Sequence, residues 1–244
     1  MSKSSQCSDF SEIPARIATR ARVLSCTDCD LRDRCSSPVP FSGSNPNYLV
    51  VIGEAPGATE DRQGEPFVGP AGQLLRRAIN QAFFHPSNAR AKERVSDYLT
   101  YVNVVSCYPA EKRTPNQRQI KACSGNLWAQ LEVIRPRYGL LCGGTALGAL
   151  VPAIRGGRRP DGSLATPQTI TSLRGSWVEV RAAWGKMLLM VVWHPAAVLR
   201  EGGMKTGKGI ELTADLARFA QVIYKHPEVQ PAAVRDQPNL QLTL

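Results

Sequence analysis

The chain has 244 residues, of which 43% are hydrophobic and 20% are charged. This length fits a single α/β domain with tails, and no apolar run approaches the roughly 20 residues of a membrane span. The first residues, MSKSSQCSDF, lack a secretory signal, so we expect a cytoplasmic protein. We also expect it to be monomeric and not associated with a membrane. Lys and Arg number 30 against 20 Asp and Glu, and the net charge of +10 favours nucleic acid as the partner.

The first elements along the chain predict a strand, a loop and a helix. Residues 1–22 are polar and mixed, which indicates a flexible N-terminal segment, and the folded core is expected from about Tyr48. The run YLVVIG at 48–53 is continuously apolar and ends in Gly, as is typical of a buried parallel strand. After a loop, apolar residues at helical spacing mark one buried face from about Gly69 to Phe83.

The same alternation continues to the end of the folded region. Strands are predicted at 99–106, 138–142, 177–181 and 187–193, and helices at 116–134, at 145–151 and around 212–223. Alternating strands and helices predict a parallel sheet covered on both faces. We therefore expect a Rossmann-like three-layer α/β sandwich with a central parallel sheet, one catalytic domain at 23–226 and a flexible tail at 227–244.

The cysteines indicate a metal site. Because no export signal precedes them, disulfides are not expected, and ligation is the better explanation for the thiols. Cys26 and Cys29 form a C-x-x-C pair, while Cys107 closes a predicted strand and Cys123 lies in the next helix. Four thiolates suit either an iron–sulfur cluster or structural zinc. The alternative is that only the first pair binds and the remaining cysteines are small buried apolar residues.

Three ordered motifs accompany these cysteines. They are GEAPGATEDRQGEPFVGPAGQLL at 53–75, VNVVSCYP at 102–109 and WHPAAVLR at 193–200. Together with the cysteine spacing, they resemble the family 4 uracil-DNA glycosylases over roughly residues 26–225. The resemblance implies a DNA repair enzyme that flips a pyrimidine out of DNA and hydrolyses its N-glycosidic bond, leaving an abasic site.

The resemblance also implies a cofactor. In that family four cysteines hold a [4Fe–4S] cluster with a structural role, which corresponds here to Cys26, Cys29, Cys107 and Cys123. Structural zinc remains the alternative. Cys35 lies close enough in sequence to Cys29 to replace one member of the first pair.

A glycosylase must recognise the everted base by stacking and by hydrogen bonds to its edge. Phe67 offers an aromatic face, as the matching family residue does, and its alternative role is a core contact. The amide of Asn103 carries both a donor and an acceptor and can pair with O4 and N3–H of uracil, the role the family assigns to it. Gly53 and Ala55 at the start of the first motif complete the expected base-binding set.

Cleavage of the glycosidic bond places positive charge on the sugar and negative charge on the base, so it calls for a carboxylate and a donor. His194 is suited to donate to the base oxygen. Glu54, directly after the strand-ending glycine, is the first choice for the catalytic carboxylate. Glu60 and Asp61 are the other candidates, and all three acids could instead be loop-forming or solvated.

The residues after His194 resemble a minor-groove loop. Leu199 would help fill the space left by the flipped base, and Arg200 would contact phosphate. The alternative for Leu199 is a helical turn packed in the core.

Three small residues depart from the family pattern. Ala196 and Ala197 stand where a serine and a bulky residue are usual, and Ala58 replaces a longer acidic residue. A second hypothesis follows: the pocket accepts a hypermodified pyrimidine of phage DNA, and the enzyme acts in phage defence. A third hypothesis is a non-catalytic DNA-binding or damage-sensing module.

Overall fold

The computed structural model describes residues 12–43, 48–83, 95–110, 113–155, 157–158, 164–165 and 167–226. Residues 1–11 and 227–244, which include most of the expected flexible ends and Cys7, lie outside the described residues. Within them the main sheet has five strands, and their bounds are β1 Leu49–Gly53, β2 Thr100–Asn103, β3 Tyr138–Cys142, β6 Trp177–Ala182 and β7 Gly185–Val192. A separate pair of short strands comprises β4 Gly157–Arg158 and β5 Leu164–Ala165.

The strand order is β2-β1-β3-β7-β6, and the first four strands are parallel. The helices are α1 Glu12–Leu24, α2 Ala58–Gln63, α3 Pro70–Ala82, α4 Gln117–Ile134, α5 Gly143–Leu150, α6 Ile170–Leu173, α7 Pro195–Glu201 and α8 Gly207–Tyr224. Single 3₁₀ turns occupy Val95–Tyr98 and Pro152–Arg155. Helices α3, α7 and α8 contact one another on one side of the sheet, and α4, α5 and α6 pack on the other. The predicted α/β sandwich is confirmed.

Strand β1 shows why its sequence is apolar throughout. All five of its residues are buried. Leu49 and Val51 belong to the core on the α3 and α8 side, whereas Val50 and Ile52 belong to the core on the α4 and α5 side. Because successive side chains of a strand point to opposite faces, a central strand covered by helices on both faces must be apolar at every position.

The edge strand β6 differs from the expected parallel sheet. It pairs antiparallel with β7, from Trp177 opposite Met190 to Ala182 opposite Gly185. Only Ala183 and Trp184 connect the two strands. A connection this short allows a hairpin, since a parallel crossover needs a dozen or more residues.

Helix α1 lies largely in the segment for which the sequence predicts flexibility. Its last turn contributes the fully buried Val23, and Arg22 donates to the Asn126 side chain of α4 at 3.1 Å. The guanidinium groups of Arg16 and Arg20 lie over the Phe41 ring at 4.7 and 5.7 Å. Cation–π contacts and a single buried valine therefore hold a mostly polar helix, which apolar periodicity does not reveal.

The parallel strands bring their carboxyl ends to one edge of the sheet. Gly53 and Asn103 are paired in register on β1 and β2, and Cys142 is paired with Val192 on β3 and β7. The chain leaves β1 toward β2 on one side and reaches β3 on the other, so β1 and β3 flank the point at which the strand order reverses. Ligands of open α/β sheets bind at this point.

No helix in the described part of the chain is both long and apolar enough to cross a membrane.

Candidate active site

Three of the predicted base-binding residues meet at the end of β1. A β-carbon placed on Gly53 would lie 2.4 Å from Asn103 Oδ1 and 2.6 Å from Phe67 Cζ. Because both distances are shorter than real Cβ contacts, only glycine lets the amide and the ring approach each other over this backbone. Ala55 follows two residues later and is half-buried.

Asn103 is only 4% exposed, yet no described residue hydrogen-bonds to its carboxamide. Its amide atoms are not among the fully buried polar atoms that lack a partner, which in the described part of the chain are Thr100 Oγ1 and Asn126 Nδ2. The amide therefore keeps access to solvent and is free to bind a ligand that offers both an acceptor and a donor. An everted base that supplies both an acceptor and a donor would satisfy this amide.

Phe67 is held in a strained conformation. Its φ angle is +59°, a value that residues with a side chain seldom adopt. A β-carbon on Gly72 of α3 would lie 2.2 Å from the Phe67 carbonyl group, and Arg76 Nε donates to the Phe67 carbonyl at 3.1 Å. Its ring lies 5.3 Å from that of Tyr101 and is 6% exposed, so one part of Phe67 packs in the core while its edge reaches Gly53. Strain maintained by its neighbours is typical of functional positions.

Two of the three candidate carboxylates are engaged in holding the loop together. Glu60 accepts from the backbone N–H of Gly57 at 3.2 Å and of Gly69 at 2.7 Å, which ties together the two ends of the loop that carries Phe67. Asp61 accepts from the N–H and the hydroxyl of Ser36. Both acids are 8% exposed. Their contacts are those of loop-forming residues.

Glu54 is placed differently. Its backbone carbonyl accepts from the Val105 N–H at 3.1 Å, which fixes the chain as it leaves β1. Its half-buried side chain accepts one hydrogen bond, from Thr145 Oγ1 at 2.5 Å. Thr145 was not predicted as a site residue, although its position just after β3, at the edge where the strands end, is a signal in the sequence.

His194 is the N-cap residue of α7, and its Nδ1 accepts from the Ala196 N–H at 3.2 Å. In a neutral imidazole the other nitrogen, Nε2, then carries the proton and is the donor. Gly143 packs against this side chain: its φ is +90°, and a β-carbon there would lie 2.9 Å from His194 Cβ. Burial lowers the pKa of His194 and the Arg200 cation lowers it further, while nearby Glu54 raises it.

The residue before His194 is fixed by a polar network that sequence patterns do not indicate. Trp193 Nε1 donates to Glu211 at 2.5 Å, and Glu211 pairs with Arg174 at 3.1 Å. Arg174 also pairs at 3.0 Å with Asp215, which has no exposed surface and also contacts Arg218. This network connects α8 to the turn between β7 and α7.

Helix α7 presents two predicted DNA-contacting residues at the surface. Leu199 is 38% exposed, which excludes the core-packed alternative, and Arg200 is also exposed. They lie one turn after His194 on the same short helix.

The four predicted cysteine ligands line one cavity, together with Ser106. The backbone N–H of Ser106 donates to Cys123 Sγ at 3.4 Å. Burial raises the pKa of Cys123 to about 11, and the pKa of Cys107 is raised by burial and by the neighbouring Cys35 thiol. Cys35 is also buried, and its thiol lies within hydrogen-bonding reach of Cys107.

Cys142 takes no part in this group. Cys142 is fully buried in the core at the end of β3. Across the described residues, no three His, Cys, Asp or Glu side chains are grouped closely enough to hold a single metal ion.

Comparison with known proteins gives the family. A sequence model of the Uracil DNA glycosylase superfamily matches residues 40–216. The chain is 32% identical to the type-4 uracil-DNA glycosylase of Pyrobaculum aerophilum over 197 residues, covering 81% of this chain and 89% of the relative. The type-4 enzyme of Archaeoglobus fulgidus is 35% identical over 178 residues, with 72% and 79% coverage. For the type-4 enzyme of Thermotoga maritima, the identity is 33% over 180 residues, with 73% and 80% coverage.

The chain belongs to the uracil DNA glycosylase superfamily. The resemblance inferred from the three motifs and the cysteine spacing is therefore confirmed.

The environment of His194 predicts an unusual titration. The pKa of His194 should lie below its ordinary value of 6.5, so that the neutral imidazole persists at lower pH than usual. Arg200→Ala should raise this pKa by removing a cation, and Glu54→Gln should lower it by removing an anion. NMR titration of the imidazole, assigned with His194→Ala, measures all three values.

Arg181→Ala, which changes an exposed arginine on the edge strand, serves as the control for net charge and should leave the titration unchanged. A midpoint at or above 6.5, or shifts of the same sign in the Arg200 and Glu54 variants, would contradict this electrostatic description.

Proposed function

We propose that this protein is a DNA glycosylase that flips uracil out of DNA and hydrolyses its N-glycosidic bond. The observation that carries the proposal is the meeting of the Asn103 amide and the Phe67 ring over the bare backbone of Gly53. Glu54 directly follows that glycine, and it is close enough to His194 to influence its pKa. The type-4 relatives carry the name of this activity.

Asn103 and Phe67 would recognise the base. The Asn103 amide N–H donates to O4 of uracil, and its carbonyl accepts from N3–H. Phe67 contacts the face of the ring, and the glycine backbone allows the base to approach closely. Satisfying a buried amide gives selectivity, because a base with the wrong edge leaves the amide unpaired.

The chemistry separates charge along one bond. As the bond between N1 of the base and C1′ of the sugar breaks, its electron pair goes to the base, and the sugar becomes cationic. Neutral His194 donates from Nε2 to O2, the base oxygen beside the breaking bond, and stabilises the developing anion. The Glu54 carboxylate stabilises the cationic sugar and orients the water that adds to C1′. The proton that the water loses on adding to C1′ offsets the charge of the departing uracil anion, so the products are free uracil and an abasic site.

Eversion of the base requires contacts with the rest of the DNA. Leu199 is an exposed apolar side chain that can occupy the space vacated in the stack, and Arg200 lies beside it for a phosphate. The net charge of +10 attracts the polyanion. The proposal describes a monomeric cytoplasmic enzyme of base excision repair.

Cys26, Cys29, Cys107 and Cys123 would hold a [4Fe–4S] cluster of structural role. They fit the group because all four border one cavity and the Ser106 N–H points at a sulfur, a contact that stabilises thiolate charge. Structural zinc, the alternative cofactor, would instead need all four sulfurs at about 2.3 Å from a single ion. When bound, the cluster joins the segment after α1 to the end of β2 and to α4.

The principal test measures base release from DNA containing uracil. The wild-type protein should release uracil, and Glu54→Ala and His194→Ala should each lower the single-turnover rate by at least about a hundredfold. Matched controls are Glu179→Ala on the edge strand and His226→Ala beside Tyr138, which should keep the wild-type rate.

The same assay separates the other two hypotheses. Thymine mismatches and hydroxymethylated or glucosylated pyrimidines are included, since the half-buried Ala196 and Ala197 leave the larger-base alternative open. Cleavage of modified phage DNA with intact uracil would support the phage-defence enzyme. If no base is released at high enzyme concentration, the protein is a DNA-binding module and the proposal is wrong.

A second test concerns the cofactor. Purified wild-type protein should be brown and contain about four irons with matching sulfide per chain. Cys107→Ser should lose this iron, whereas Cys142→Ala, at a buried cysteine outside the group, should keep it. A colourless protein with about one zinc per chain would favour the structural zinc instead.

A further inference from the structure

The Thr145 hydroxyl connects the proposed catalytic carboxylate, Glu54, to helix α5. This helix makes no contact with substrate in the proposed mechanism. It lies in the first turn of α5, which begins at Gly143 directly after β3. Its hydroxyl donates to Glu54 Oε2 at 2.5 Å, and no other described residue donates to that carboxylate. The pair is half-buried at the edge where the strands end.

This hydrogen bond orients the Glu54 carboxylate. With the Thr145 hydroxyl on Oε2, Oε1 has no donor among the described residues and can accept from the attacking water. A glutamate has three side-chain torsions, and an unanchored one samples many orientations at an entropic cost to catalysis. Holding one oxygen fixes the direction of the other, as substrate-positioning contacts do in general.

The same turn of α5 also sets the position of His194. Gly143 has a φ of +90° and leaves no room for a side chain against His194. The segment 143–145 therefore contacts both residues that act on the glycosidic bond, one by packing and one by a hydrogen bond. Thr145 is not the N-cap residue of α5, which is Cys142, and the hydrogen bond that its hydroxyl donates goes to Glu54.

We propose that Thr145 is a positioning residue that orients Glu54 for water attack. This inference rests on the proposed glycosylase function. Thr145→Val, which keeps the shape and removes the hydroxyl, should lower kcat about 10- to 150-fold, the range for a lost hydrogen bond to a charged group. KM should stay near the wild-type value, because the interaction acts on the transition state and not on DNA binding. Thr145→Ser should restore most of kcat.

A double-mutant cycle separates positioning from general damage. If Thr145 acts through Glu54, Thr145→Val should have no further effect on the residual single-turnover rate of Glu54→Ala. A full additional decrease in that background would overturn the inference, as would wild-type kcat in Thr145→Val or an equal defect in Thr145→Ser. Wild-type protein is assayed beside these variants: if it releases no base, the proposed function fails, whereas an active wild type with an indifferent Thr145 refutes only this inference.

Discussion

The absence of a side chain at Gly53 is the constraint on which the site depends. Any larger residue would collide with Asn103 Oδ1 and the Phe67 ring, so the amide and the ring could not share the end of β1. The loop supports the same arrangement: Glu60 ties its two ends together, and Arg76 holds the strained Phe67 backbone. The strained backbone of Phe67 is unfavourable for the fold alone, and the proposed base-binding role accounts for it.

Hydrogen bonds connect the cysteine segment to the loop that carries Phe67 and to α4. Ser36, which follows the cysteine segment, binds Asp61 in the active-site loop, and Asp30 accepts from Gln119 at 3.0 Å on α4. A group bound by these cysteines would therefore be linked through Ser36 to the loop that carries Phe67. The chain that leaves β1 is fixed separately, by the hydrogen bond from the Val105 N–H to the Glu54 carbonyl.

The apolar runs were sufficient to predict the sandwich because its strands are buried on both faces, and β3 has the predicted bounds. The motifs indicated which residues lie at the carboxyl ends, and the structure brings Gly53, Phe67 and Asn103 together. The sequence patterns could not predict which distant polar groups pair with each other. Glu54, Glu60 and Asp61 look alike in sequence, and only their contacts separate a carboxylate facing Thr145 from two that hold a loop. Helix α1 was not predicted for the same reason, since cation–π contacts hold it. The antiparallel β6 has a different origin, the short connection to β7.

The central claim is that an everted uracil binds against Phe67 and Asn103 at the end of β1. The most direct measurement is a crystal structure with DNA carrying 2′-deoxy-2′-fluorouridine, whose fluorine slows cleavage by destabilising the cationic sugar. We expect the uracil ring to contact Phe67, with its O4 and N3–H hydrogen-bonded to the Asn103 amide and its O2 facing His194. A uracil that remains stacked in the duplex, or that binds away from Phe67 and Asn103, would contradict this claim.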